Sequence, residues 1–480
     1  MTNRNFGDFL HEARLRRGLT QYQLGALVGV SDKAVSKWET GLSKPQIGIL
    51  YQIGEALGVS VDELLSCKYR SVEKQSSKGP FATKKQLWKK AYDTMRERYG
   101  DPVPIAISDR FFAEQAELQH TDLIVYFDLL ATLSAKAKQR NKQIRLSGWA
   151  GTSLVAYLLG ATNVNPLPPH FFCPNCHAVL FDSSVKDGWD LPAQSCSCGT
   201  MTVGDGHDIP FESFRHVAQR HPSFAISLSP EFFDTAKSLL EYYFKDCVTT
   251  VTEREDHRAT SWTVSSQHSD CTISLCANPA FASYEALEAA TATSFERVRF
   301  ANPEILAEFQ KGNVEGIPEF GSEFIKQLLH TTCPSSFHDL LQLLGFAHGS
   351  GTWQNNAAQL HRQGVPVGRL IAYRDDVFCR VREAALARGI SGLGLSYKIM
   401  EDTRRGIYAK NGLPADLREQ LQLLGVEEWF PDSVEKIKYL FPKAHGVTHA
   451  RIAATLMWYK IHYPKEFQEI FSCKLRRGHL

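Results

Sequence analysis

Asn165-Pro166-Leu167-Pro168-Pro169-His170 is followed almost at once by Cys173-Pro174-Asn175-Cys176, and the same region closes on Cys196-Ser197-Cys198-Gly199. The spacing Cys173-x2-Cys176-x19-Cys196-x-Cys198 puts four thiols on two short turns. Four sulfurs complete a tetrahedral Zn2+ shell and leave no open position, so the expected site is structural rather than catalytic. His177 or His207 is an alternative donor, because only one residue separates the second pair. The expectation is a zinc knuckle over residues 171–200.

Around it lie 480 residues, enough for roughly two to four domains. An apolar fraction of 43% allows sizeable cores. With 54 Lys and Arg against 52 Asp and Glu, the net charge is only +2, so any basic face for nucleic acid must be local. No run of about 18 apolar residues is present, which argues against a membrane partner. Met1-Thr2-Asn3-Arg4-Asn5 lacks the apolar run of a signal peptide. Eleven cysteines with one tight cluster fit a reducing cytoplasm better than a disulfide framework.

Residues 6–66 read as five short helices. Phe6, Phe9, Leu10 and Ala13 fall at helical spacing. Thr20 and Ser31 are N-caps, Gly41 stops the third helix, and Ser60-Val61-Asp62-Glu63 starts the fifth as a capping box. The run from Leu19-Thr20-Gln21 through Ser31-Asp32-Lys33-Ala34-Val35-Ser36-Lys37-Trp38 to Pro45 resembles the Cro/repressor (XRE) helix-turn-helix family. The resemblance implies a DNA-binding domain over 1–67 whose third helix enters the major groove. Asp32, Lys33 and Lys37 then face bases, Ser31 and Gln21 contact phosphate, and Val35 and Trp38 face the core. Such heads commonly pair on two half-sites, so a homodimer through the head is expected. A polar linker follows over 68–84.

Three landmarks order the remainder: the Asn165–His170 run with its knuckle, Asp205-Gly206-His207-Asp208-Ile209-Pro210-Phe211-Glu212, and Lys438-Tyr439-Leu440-Phe441-Pro442-Lys443-Ala444-His445. In this order they closely resemble the PolC-type alpha subunit of bacterial DNA polymerase III. The resemblance implies an α/β palm over 85–315 and mostly α-helical fingers over 316–480. The full expectation is a multidomain chain with an all-α head, an α/β palm carrying the knuckle, and α fingers.

In that family the palm carries Pro-Asp-Ile-Asp-Leu-Asn-Phe, whose two aspartates hold catalytic magnesium. The matching stretch here is Pro222-Ser223-Phe224-Ala225-Ile226-Ser227-Leu228, and Ser274 aligns with the family's third acid. Two-metal transfer needs hard anionic oxygens around its Mg2+ ions. Ser223, Ala225 and Ser274 supply none, so catalytic Mg2+ is not expected and the chain reads as a pseudo-polymerase. The fingers, by contrast, keep the family's pattern. The resemblance puts His348, Arg374, Lys398, Arg404, Arg405, Lys438, Lys443 and His445 around nucleotide or template, where Lys and Arg interleaved with aromatics grip phosphate and stack on bases.

These readings combine into a cytoplasmic, nucleoid-associated protein that binds double-stranded DNA sequence-specifically. Its body binds primer-template DNA or a replisome protein without catalysis, as a transcriptional regulator or a replication-linked factor. The alternatives are an active PolC-type DNA polymerase with an unusual metal site, and a scaffold that binds only protein.

Overall fold

Along Ser223–Leu228 every second side chain is apolar, so one strand face must be buried and the other carries Ser223, Ala225 and Ser227. In the computed structural model this strand lies inside a five-stranded sheet, and Phe224, Ile226 and Leu228 point into the core. The structure describes residues 5–17, 19–57, 59, 64–65, 67, 82–147, 149–213, 223–244, 248–254, 259–265, 270–298, 300 and 303–475. The chain divides into two compact units, Met1–Gly79 and Pro80–Leu480.

The first unit contains α1 (Phe6–Arg16), α2 (Gln21–Val28), α3 (Asp32–Glu39) and α4 (Ile47–Leu57). Caps set its boundaries. Thr20 and Gln23 form a reciprocal capping box, Gly29 closes α2 in the left-handed region, and the Ser31 hydroxyl accepts from the N–H of Ala34. Phe9, Leu10, Leu24, Val35, Trp38 and Ile53 close a small core. The expected capping box at 60–63 and residues 68–81 of the expected linker lie outside the described residues.

Beneath that core lies a buried ion pair. Arg14 donates from Nε and Nη2 to the two oxygens of Glu39, at 2.5 and 2.9 Å. Burial pushes the Glu39 carboxyl up, but hydrogen bonds from Arg14, Gln21 and His11 outweigh it and bring the group down to about 2. A depressed carboxylate contributes stability that is complete above its ordinary pKa and is lost as pH falls through the folded value. The head is therefore expected to lose stability between about pH 4.5 and 2, and Glu39→Gln to flatten that acid limb. Glu39→Ala, which strands Arg14, is expected to cost about 3–5 kcal/mol. Urea titrations across this pH range check both results.

The second unit opens with α5 (Lys84–Tyr99), capped by Thr83, so the helix already includes the last residue of the expected linker. Then come α6 (Ile105–Leu118), α7 (Leu123–Gln139), β1 (Ile144–Ser147) and α8 (Leu154–Leu159). A small antiparallel sheet has the order β3-β2-β4, from β2 (His170–Phe172), β3 (Val179–Phe181) and β4 (Val203–Asp205). The larger sheet runs β1-β5-β8-β7-β6. It uses β5 (Ser223–Leu228), β6 (Val248–Arg254), β7 (Ala259–Ser265) and β8 (Asp270–Ala277), with α9 (Phe233–Phe244) crossing between β5 and β6. Among the described residues of this sheet, only β5 and β8 pair in parallel. Phe224 packs against Tyr126 and Phe127 of α7, which seats the sheet on the first helices.

From Phe281 onward the described chain is mostly helical. It runs through α10 (Phe281–Thr291), α11 (Pro303–Gln310), α12 (Glu323–Thr332), α13 (Phe337–His348) and α14 (Ala358–Arg362). Then follow α15 (Arg374–Ala387), α16 (Leu393–Arg404), α17 (Ile407–Asn411) and α18 (Ala415–Leu424). Last come α19 (Trp429–Val434), α20 (Lys443–His462) and α21 (Pro464–Leu475). One core joins α13 to α20 through Leu341, Leu344, Ala453 and Leu456. A second fills the α15–α19 layer with Phe378, Met400, Leu421 and Phe430. The expected succession of helical head, α/β middle and mostly helical remainder is the architecture found. Among the described residues no helix is long and apolar enough to cross a membrane.

Candidate nucleic-acid interface and metal centre

Ser31, Asp32, Lys33 and Lys37 lie exposed on or just before α3, while Val35 and Trp38 are buried. Two of the residues expected to touch phosphate have internal partners. The Gln21 amide donates to Glu39 at 2.8 Å, and the Ser31 hydroxyl caps α3. Lys33 and Lys37 are exposed cations of α3, and they carry a prediction. Lys33→Ala is expected to relax base preference by about 1–3 kcal/mol at one position. Lys37→Ala is expected to do the same at a second position. Titrations on a selected duplex and on duplexes changed at single positions check both.

The knuckle cysteines come together. The Sγ atoms of Cys173, Cys176, Cys196 and Cys198 all lie within 4.8 Å of one another. Cys173, at the start of the β2–β3 turn, is buried, and the other three reach the surface. Hydrogen bonds from Thr200 and Asn175 draw the Cys198 thiol down to about 5, toward the thiolate that binds metal. The two alternative donors are engaged elsewhere. His177 Nδ1 lies 3.0 Å from the carbonyl of Arg98, and His207 is fully buried with Nδ1 2.8 Å from Asp187. This set can hold a metal such as zinc.

The knuckle is tied to the palm through Asp205. Its carboxylate accepts from Arg98, Tyr157 and Asn165 at 3.2, 3.0 and 2.9 Å. Burial raises the group, but His170 and the Arg98 guanidinium outweigh this and hold it well below the usual carboxylate range. Deeper in the same unit Glu114 of α6 is wholly buried. Its carboxylate accepts from Arg110, the Ser153 hydroxyl, and the N–H groups of Leu154 and Val155 at the start of α8. The segment leading from β1 into α8 thus ends on a helix start already satisfied by a protein carboxylate.

On the sheet, Ala225 pairs with Ser274 and Ser223 with Thr272. Ser223 and Ala225 are exposed, and the Ser274 hydroxyl lies 2.8 Å from that of Ser261. Ser223, Ala225 and Ser274 therefore share one face of the parallel pair, and none of these three residues is a carboxylate. Arg145 of β1 lies over the ring of Phe281 at 5.0 Å, and burial lowers its pKa while Tyr284 and Glu319 oppose the shift.

The finger residues separate into groups. His348, at the end of α13, and His445, in the first turn of α20, come together with ring centroids 6.3 Å apart. Burial, helped by His449 and His348, lowers His445 to about 4. Lys438 and Lys436 are exposed on the wall of a cavity of about 710 Å³ shared with Ser350, Trp353 and Asn355. Arg405 is exposed at the end of α16. The others are engaged in the fold. Lys398 pairs with Asp402 and Arg404 with Glu401. Arg374 is buried, and so is Lys443, whose backbone N–H donates to Asp375 and whose Nζ reaches the carbonyl of Asp208.

Two residues next to His348 and His445 were given no role in the sequence reading. Glu319 accepts from His348 Nε2 at 3.2 Å and from His449 Nδ1 at 3.1 Å, and these two imidazoles hold its carboxyl well below the usual range. A readable signal did exist, because His445 and His449 fall four residues apart on one helix face.

Comparison with known proteins accounts for much of this arrangement. Residues 10–64 match the helix-turn-helix family model. Residues 85–224 match the bacterial DNA polymerase III alpha NTPase domain, and residues 283–367 the bacterial DNA polymerase III alpha subunit finger domain. The DNA polymerase III PolC-type of Thermotoga petrophila is 30% identical over 473 residues, covering 79% of this chain and 34% of that protein. That of Caldanaerobacter subterraneus is 27% identical over 464 residues, covering 77% and 32%. That of Bacillus subtilis is 26% identical over 466 residues, covering 78% and 32%. The chain spans about a third of the length of these relatives.

These relatives correct the expectation of a pseudo-polymerase. They are named as polymerases and match more than three quarters of the chain, which points to a polymerase enzyme family. Serine and alanine at three strand positions remove one way of holding metal, and that is a narrower statement than the loss of an activity. The domains of this chain support binding to DNA: it joins an XRE-type helix-turn-helix to NTPase and finger domains of the bacterial DNA polymerase III alpha subunit, and its relatives are DNA polymerases of the PolC type.

Proposed function

We propose that this protein binds double-stranded DNA through its head and acts on primed DNA as a PolC-type DNA-directed DNA polymerase with an unusual metal site. The observation that carries the reading is similarity to PolC-type polymerases across both palm and fingers. The cavity bearing Lys436, Lys438 and Trp353 supports it, since exposed cations beside an aromatic suit a phosphate backbone and a stacked base. In this reading the four cysteines hold a structural zinc. The head selects a site, as a pair of copies on two half-sites, and the body works there in the cytoplasm at the nucleoid, alone or with a replisome protein. Any catalytic metal is held away from Ser223, Ala225 and Ser274.

Competitive binding by the full chain tests the DNA-handling half of this reading. A primer-template junction of unrelated sequence is expected to compete at least tenfold better than a blunt duplex of the same length. Equal competition would leave all DNA affinity with the head.

A further inference from the structure

His445 and His449 stand four residues apart on α20, with ring centroids 4.5 Å apart. His348 at the end of α13 brings a third ring, 6.3 Å from the first and 6.1 Å from the second. Glu319 sits between His348 and His449 with one carboxylate oxygen toward each. All four groups are partly shielded and none is sealed. The side chains of Glu319, His348 and His449 are 30%, 29% and 17% exposed, and Glu319 and His348 line a cavity of about 690 Å³. Glu319 also has φ +68°, a left-handed conformation that a residue with a side chain keeps only where its surroundings dictate it.

We propose that His348, His445, His449 and Glu319 form a second metal site, distinct from the knuckle, that takes a divalent transition ion such as Mn2+, Co2+ or Zn2+. Three imidazoles and one carboxylate suit these ions, whereas Mg2+ prefers an all-oxygen shell. Two histidines at i, i+4 present their rings from one helix face, a common way to start such a site. The four thiols already lie within 4.8 Å of one another, but this set closes on an ion only when the rings turn. The hydrogen bonds that Glu319 makes to two rings mark where the ion displaces shared protons. Arg145 of β1, the strand partner of Ser227, acts electrostatically on Glu319 and His445, so the site borders the edge of the larger sheet.

The inference does not rest on the proposed activity, and its test uses no DNA. The full chain, with zinc in the knuckle, is titrated with Co2+ and followed by visible absorption and calorimetry. The expected result is one Co2+ per chain beyond the zinc, with weak d–d bands and no thiolate charge-transfer band. Glu319→Gln is expected to weaken that binding by about 10- to 100-fold, with zinc content unchanged. His449→Ala and, separately, His348→Ala are expected to weaken it at least as much. A wild-type protein that takes no Co2+ beyond the zinc would overturn the proposal. So would a second equivalent that survives in both histidine variants, or one that carries a thiolate band.

Discussion

Stripping the metal from the knuckle is expected to unfold the segment from Phe172 to Val203 and to lower the melting temperature of the full chain by about 5 °C or more. The thiols that would fill the shell lie within 4.8 Å of one another, and a cation between them lets all four bind as thiolates without mutual repulsion. The β2–β3 and β2–β4 pairings are only three residues long. Strands so short hold little by themselves, so the binding free energy of the ion becomes folding free energy, about 10–16 kcal/mol in isolated zinc-finger peptides. Part of that stabilisation is already supplied here by the Asp205 hub, so the loss is local. Cys173→Ser is expected to reproduce the effect of chelation and to take bound zinc from one per chain to background. Atomic absorption with a thermal melt decides. An unchanged melt after chelation would mean that the four thiols are no metal site.

Glu114→Ala is expected to cost about 3–5 kcal/mol. The wholly buried carboxylate meets a guanidinium, a hydroxyl and two backbone N–H groups. Alanine takes the acceptor from the Arg110 Nε–H, the Ser153 hydroxyl and the two backbone N–H groups, while Arg110 Nη2 keeps the carbonyls of Thr152 and Ile209, and each stranded donor carries its own desolvation cost. Glu114→Gln keeps an acceptor but loses the charge that Arg110 needs, and about 1–3 kcal/mol is expected. Urea unfolding of the two variants checks the order. Equal stability of wild type and Glu114→Ala would mean that the start of α8 does not depend on this anion.

Local patterns made much of the fold legible. The cysteine spacing, the caps at Thr20 and Ser31, and the period-2 strand at Ser223–Leu228 each lie within a few residues, where covalent geometry dictates the outcome. What the sequence concealed was partnership over long separations. Gln21 was read as reaching outward, yet its acceptor is Glu39, buried on the next helix but one turn from the surface cations. Lys443 was read as a surface cation, because a lysine near Tyr and Phe looks exposed until Asp375 and Asp208 fold over it from 68 and 235 positions away. The Glu319 cluster draws on three separate segments, and only its His445–His449 spacing could be read along the chain. The palm carried a different lesson. Three missing acids were read as a missing activity, although they bear only on one way of binding metal.

The measurement that tests the central claim most directly is template-dependent nucleotide incorporation by the full chain. A primed template is supplied with all four deoxynucleotides and either Mg2+ or Mn2+. Extension that follows the template and is stronger with Mn2+ is the predicted result, because the strand positions that would suit Mg2+ carry no carboxylate. An absence of extension with both ions, from protein that binds primer-template DNA and retains its zinc, would contradict the account.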